Sequence, residues 1–114
     1  MKRLILLAFV AATLPAISDD DSGVRTFKVT LPAGDFHEEC MTLKVGDWRK
    51  YEWKSDVPVD FNIHYHHAAK VNYSVKRAGL KSDTATFVAK AGAEYCWMWT
   101  ANKPANLEGS VATK

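Results

Sequence analysis

Two cysteines, each in the middle of a strand-like stretch, set the first limit on what this chain can fold into. Cys40 lies in His37-Glu38-Glu39-Cys40-Met41-Thr42-Leu43 and Cys96 in Ala93-Glu94-Tyr95-Cys96-Trp97-Met98-Trp99. A chain with export features and only two thiols has one expected use for them, a single disulfide. Two free thiols, or a pair binding a metal, are the alternatives, and export weighs against the first. The bond would tie the early part of the fold to its late part. In the chain-entropy model it contributes roughly 4 kcal/mol.

The export features stand at the start of the sequence. Met1-Lys2-Arg3 is followed by an apolar run from Leu4 to Leu14, too short to span a bilayer and typical of a signal peptide over 1–18. Ala16 and Ser18 are the small residues of a cleavage site. Residues 19–24 then read as a disordered lead-in and 25–114 as a single domain, periplasmic or secreted, with no transmembrane segment in the mature chain. The whole chain has 15 Lys+Arg and 13 Asp+Glu; removing the leader takes away Lys2 and Arg3 and no acid, leaving 13 against 13. A neutral domain offers no general attraction to nucleic acid or anionic lipid.

Nearly every later segment alternates apolar and polar with period two, and none keeps a helical stripe for three turns. Strands are predicted at 25–31, 36–45, 48–54, 59–66, 70–77, 83–90, 93–101 and 107–113. The separating turns are Pro32–Asp35, Gly46-Asp47, Ser55–Pro58, Ala78-Gly79, Ala91-Gly92 and Lys103–Asn106. About eight short antiparallel strands at regular spacing point to an all-β sandwich of jelly-roll type. Cys40 shares its face with Glu38 and Thr42, and Cys96 with Glu94 and Met98, the more polar side of each strand. The two segments are therefore expected to be neighbours in one sheet with the cysteines opposed, although periodicity leaves a bridge across the core open.

On these residues the chain resembles the GOLD (Golgi dynamics) domain, a compact β-sandwich of eukaryotic cargo receptors. Glu38-Glu39-Cys40-Met41 matches that family's early cysteine motif, Glu94-Tyr95-Cys96-Trp97 its late one, and Gly46-Asp47 its turn, over residues 36 to 113. The resemblance implies a Cys40–Cys96 bridge and a binding or interaction module. Coiled coil, membrane span and cytosolic tail of the receptors are missing, so their transport role does not carry over, and the leader looks bacterial.

The chemistry-bearing residues are few. His64 and His66, at i and i+2 of a strand, leave one face about 6.5–7 Å apart and could lean onto one copper or zinc ion. His67 would add a nitrogen, Met98 or Met41 a thioether, and His37 is a further candidate. The alternative is that these histidines are solvated like Asp60 and Asn62 on the same side. Tyr95, Trp97 and Trp99 line one face, read as core rather than as an exposed platform, whereas Trp48 has the opposite parity to Trp53 and is expected to be partly exposed. No nucleophile elbow, phosphate loop or convincing carboxylate pair occurs, so no enzyme is expected. The reading is an exported, non-catalytic module binding a protein or envelope partner through a sheet edge or Trp48, with copper or zinc handling as the alternative.

Overall fold

Six strands account for all the regular structure in the computed structural model, which describes residues 23–113. They are β1 (Val24–Leu31), β2 (Phe36–Leu43), β3 (Trp48–His67), β4 (Lys70–Val88), β5 (Ala93–Ala101) and β6 (Ala105–Ala112). The signal peptide expected over 1–18 and most of the 19–24 lead-in lie outside the described residues. Val24 already belongs to β1, one residue before the expected domain start.

Eight expected strands become six because two turn-like sequences are bends inside long strands. Ser55–Pro58 lies within β3 and Ala78-Gly79 within β4. These two strands form one long hairpin whose register jumps from Lys54↔Ser82 to Val59↔Leu80. Extra residues on one strand bend and twist the ladder. Gly79 takes φ +66°, a conformation suited to glycine, and its N–H donates to Asp60 Oδ1 at 2.9 Å.

The bend is also where β3 changes partner on its other edge. Lys50 to Ser55 pair with β6, the last couple being Ser55↔Leu107, and Val59 to Tyr65 pair with β5, starting at Val59↔Ala101. Pro58, which has no N–H to give, falls in the gap between the ladders. Both oxygens of Asp56 accept bonds from Asn106, one from its backbone N–H and one from Nδ2, each at 2.8 Å. These bonds hold the Asp56 carboxyl below the usual carboxylate range and fix the start of β6 against the bend.

The product is one antiparallel sheet, ordered β1-β6-β3-β5-β2 with β4 on the far edge of β3. It curls on itself as a half-barrel, which corrects the expected eight-strand sandwich. The β6–β1 half lies over the β5–β2 half, and the inner faces meet in an aromatic core: Trp53 on Trp99, Tyr51 on Phe61 and Trp97, Phe87 on Tyr95 and Trp97. Tyr95, Trp97 and Trp99 are fully buried, as the alternation predicts. Gly109 is required in the β6 row between Phe27 and Trp53, because a Cβ there would meet Glu52 O and Trp53 Cβ, each at 2.6 Å. The edge strands β1 and β2 meet through side chains: Arg25 Nη1 donates to Cys40 O at 2.6 Å, and Phe27 packs on His37.

Candidate functional site

The disulfide forms at the expected place. Cys40 and Cys96 are a directly opposed pair of the β2–β5 ladder, with Cα atoms 4.0 Å apart. A pair this close is of the kind that does not exchange backbone hydrogen bonds. Cys40 O therefore points to the free edge of β2, where Arg25 takes it. The sulfur bridge lies on the outer face of the sheet, away from the aromatic core.

That outer face carries the even-numbered residues. Asn62, Met98 and Glu38 form one row across β3, β5 and β2, and His64, Cys96 and Cys40 form the next. β4 adds Tyr73 opposite His64 and Val71 opposite His66. The His64 side chain lies beside Cys96 Sγ and its ring meets those of His66 and Tyr73, with centroids 5.3 and 5.9 Å away. His64 is consequently 5% exposed, not solvated, despite lying on the polar side of its strand. Its Nδ1 is 2.6 Å from Asn62 Oδ1, and its Nε2 is 3.5 Å from Glu38 Oε2.

Burial holds the His64 pKa below the ordinary imidazole value of 6.5, the Glu38 carboxylate opposes that shift, and His66 adds to it. The stability consequence has a definite sign. An unfolded chain takes up this proton near pH 6.5 while the folded one resists it. The neutral ring thus stabilises the fold fully above pH 6.5, and that contribution declines as pH falls below 6.5 toward the lowered folded value. The urea midpoint is expected to drop between pH 7 and 5, and His64→Gln to flatten that drop. A wild-type midpoint that is level over this range would count against the assignment. Asp56 acts in a separate window, below its ordinary value of 3.8.

The other expected residues fall in different places. His66 joins His64 on the outer face. His67 ends β3, exposed, with the parity of Tyr65. Met98 shares a row with Asn62 and Glu38, and Met41 packs on the core side. His37 also faces inward, at the β1–β2 seam, with Nε2 2.7 Å from Glu39 Oε2. Trp48 is 43% exposed beside Val88, in the other half of the sheet. Sequence reasoning missed Glu38, Asn62 and Tyr73 as neighbours of His64. Glu38 was within reach, since it shares the Cys40 face two residues away and the cysteine register places it beside the β3 histidines. Tyr73 depends on the irregular β3–β4 register between Ile63 and His64, which leaves no mark in the alternation.

Among the described residues no nucleophile, base and oxyanion donors converge. The groove beside Phe27 and Trp53 is open, and Lys54 there is paired with Glu108 at 3.2 Å. No helix of the described residues is long and apolar enough to cross a membrane.

No family model matches the sequence, and no curated protein matches it. A solved structure does match in fold: PliG of Aeromonas hydrophila, a periplasmic lysozyme inhibitor of g-type lysozyme. The two chains are 11% identical, the match covers 82% of this chain and 89% of that one, and the TM-score is 0.60. The shared property is a small β-rich fold. The GOLD assignment is not confirmed, and the likeness lends no support to copper or zinc handling.

Proposed function

We propose that this chain is an exported, non-catalytic module that binds a protein partner through the outer face of β4, β3, β5 and β2. The observation that carries the reading is the set of large apolar side chains left on that face: Phe36, Val71 and Tyr73 are 50%, 44% and 51% exposed. Tyr73 and Val71 lie opposite His64 and His66, and Phe36 lies two rows along β2 from Cys40, so the disulfide ties the strands that carry the surface between them. Lys76 Nζ over the Tyr73 ring, 4.5 Å from its centroid, steadies the aromatic further. Rigid aromatic anchors surrounded by polar groups are what binding surfaces concentrate their energy on. The disulfide and a periplasmic neighbour in fold space are both compatible with export.

Likeness in fold to a lysozyme inhibitor makes a g-type lysozyme the first partner to assay. The expected result is saturable binding of the disulfide-intact protein to g-type lysozyme with loss of lytic activity. Combining Phe36→Asp with Tyr73→Asp is expected to weaken binding at least tenfold, with urea curves to show that the variant is folded under the assay conditions. Trp48→Ala tests the rival surface beside Val88. Binding that the paired Asp variant leaves intact and Trp48→Ala abolishes would move the site there. Absence of any lysozyme complex at micromolar concentrations would remove the inhibitor reading.

A further inference from the structure

We propose that the Cys40–Cys96 bond is a thiol–disulfide exchange site of fixed polarity, in which an incoming thiol takes Cys40 and His64 is the proton partner of Cys96. The inference is independent of the protein-binding reading and starts from three converging side chains. A ring nitrogen of His64, a carboxylate oxygen of Glu38 and Cys96 Sγ all lie within 4.8 Å of one another. A carboxamide oxygen only accepts, so Asn62 Oδ1, 2.6 Å from Nδ1, holds the proton of the neutral ring there. The nitrogen left to exchange a proton with the sulfur is Nε2, which also faces Glu38 Oε2 at 3.5 Å. His64 stands directly opposite Cys96 in the β3–β5 ladder. That pairing does not involve β2, so it outlasts opening of the bond.

The two sulfurs are not equivalent. Cys96 is 6% exposed on β5, between β3 and β2, whereas Cys40 is part-exposed on the edge strand β2. A thiolate therefore reaches Cys40 Sγ, and the sulfur with a proton donor beside it is the better leaving group. In the opening step a bond forms between the incoming sulfur and Cys40 Sγ. The Cys40–Cys96 bond breaks, its electron pair leaves on Cys96 Sγ, and the imidazolium gives that sulfur its Nε2 proton. A second thiolate from the reductant, a dithiol or another monothiol, then attacks the mixed disulfide. It expels Cys40 as a thiolate, and the reductant ends as its own disulfide. In the closing direction neutral Nε2 takes the Cys96 proton, and the new thiolate attacks Cys40 Sγ of the mixed disulfide. Opening releases β2, the strand that carries Glu38 and Phe36.

The groups facing His64 are Glu38 from β2, His66 from its own strand, Tyr73 from β4 with Lys76 over its ring, and Cys96 from β5. The Glu38 carboxylate favours the charged ring and His66 disfavours it. Proton donation to Cys96 should accordingly grow as the pH falls through the His64 titration and depend on Glu38.

The test uses the folded, oxidised protein and excess reduced glutathione between pH 5 and pH 8, followed by acid quenching, thiol labelling and peptide mass mapping. The first adduct is expected to carry glutathione on Cys40 and the label on Cys96. Opening rates are divided by the concentration of glutathione thiolate at each pH. From pH 8 to pH 5 the corrected rate should rise roughly tenfold or more in the wild type and less than about twofold in His64→Gln. Glu38→Gln should need a lower pH for the same rise. Urea curves establish that both variants are folded under these conditions. Glutathione found first on Cys96, or matching pH profiles for the wild type and His64→Gln, would overturn the proposal. So would a rate independent of glutathione concentration, since the bond would then open only after unfolding.

Discussion

Removing the Cys40–Cys96 bond, by reduction or by serine at both positions, is expected to lower the unfolding free energy by about 4 kcal/mol. The bridged residues are 56 apart in sequence, so the unfolded chain loses a large closed loop and gains the corresponding entropy. For a domain of this size that change corresponds to roughly 15–30 °C in Tm. The effect is large against a total stability on the order of 5–13 kcal/mol. Topology adds to it. β2 is an edge strand whose backbone partner is β5 alone, and the seam to β1 is held by side chains such as Arg25 on Cys40 O. Once the bridge is gone, β2 is free to fray, and Glu38 loses its fixed place beside His64. Matched urea curves with and without reductant measure the change. A fall below about 1 kcal/mol would show that the β2–β5 ladder holds without its covalent tie, contrary to the loop-entropy argument.

Much of this arrangement was legible in the sequence because strand periodicity carries strong information about faces. The alternation through Val59, Phe61, Ile63 and Tyr65 placed their side chains inward and His64 outward. The parity of Cys40 and Cys96 gave their opposed register on the outer face. What alternation does not encode is where a strand ends. Ser55-Asp56-Val57-Pro58 has the composition of a turn, yet it serves as the bend of a continuous strand. The deciding factor is tertiary: β6 takes one half of the β3 edge and β5 the other, leaving a gap that a proline tolerates. Burial of His64 was hidden for a similar reason. Its neighbours Glu38, Tyr73 and Cys96 come from β2, β4 and β5. Trp48 was legible from parity alone and is partly exposed as expected.

Trp99→Ala is the single substitution expected to damage the fold most, costing about 3–5 kcal/mol. Its indole is fully buried and packs on four rings from three other strands: Phe27 of β1 at 4.6 Å, His37 of β2 at 5.9 Å, and Phe61 and Trp53 of β3 at 5.4 and 6.2 Å between centroids. Trp53 belongs to the half of β3 that pairs with β6, and Phe61 to the half that pairs with β5. Trp99 therefore clamps the two halves of the curled sheet where β3 bends. Truncation to Ala leaves a large void there, and a bent hairpin flanked by a disulfide-tied strand pair has little freedom to collapse into it. Trp99→Phe should retain more than half of the lost stability, because a ring still meets Phe27 and Phe61. Trp53→Phe combined with Trp99→Phe should be non-additive by about 0.5–1.5 kcal/mol, the usual coupling of an aromatic pair. Urea denaturation followed by near-ultraviolet circular dichroism reads all three variants. Simple additivity in that cycle would mean that the halves are held together elsewhere, for which the contacts of Trp97 with Tyr51 and Phe87 are candidates.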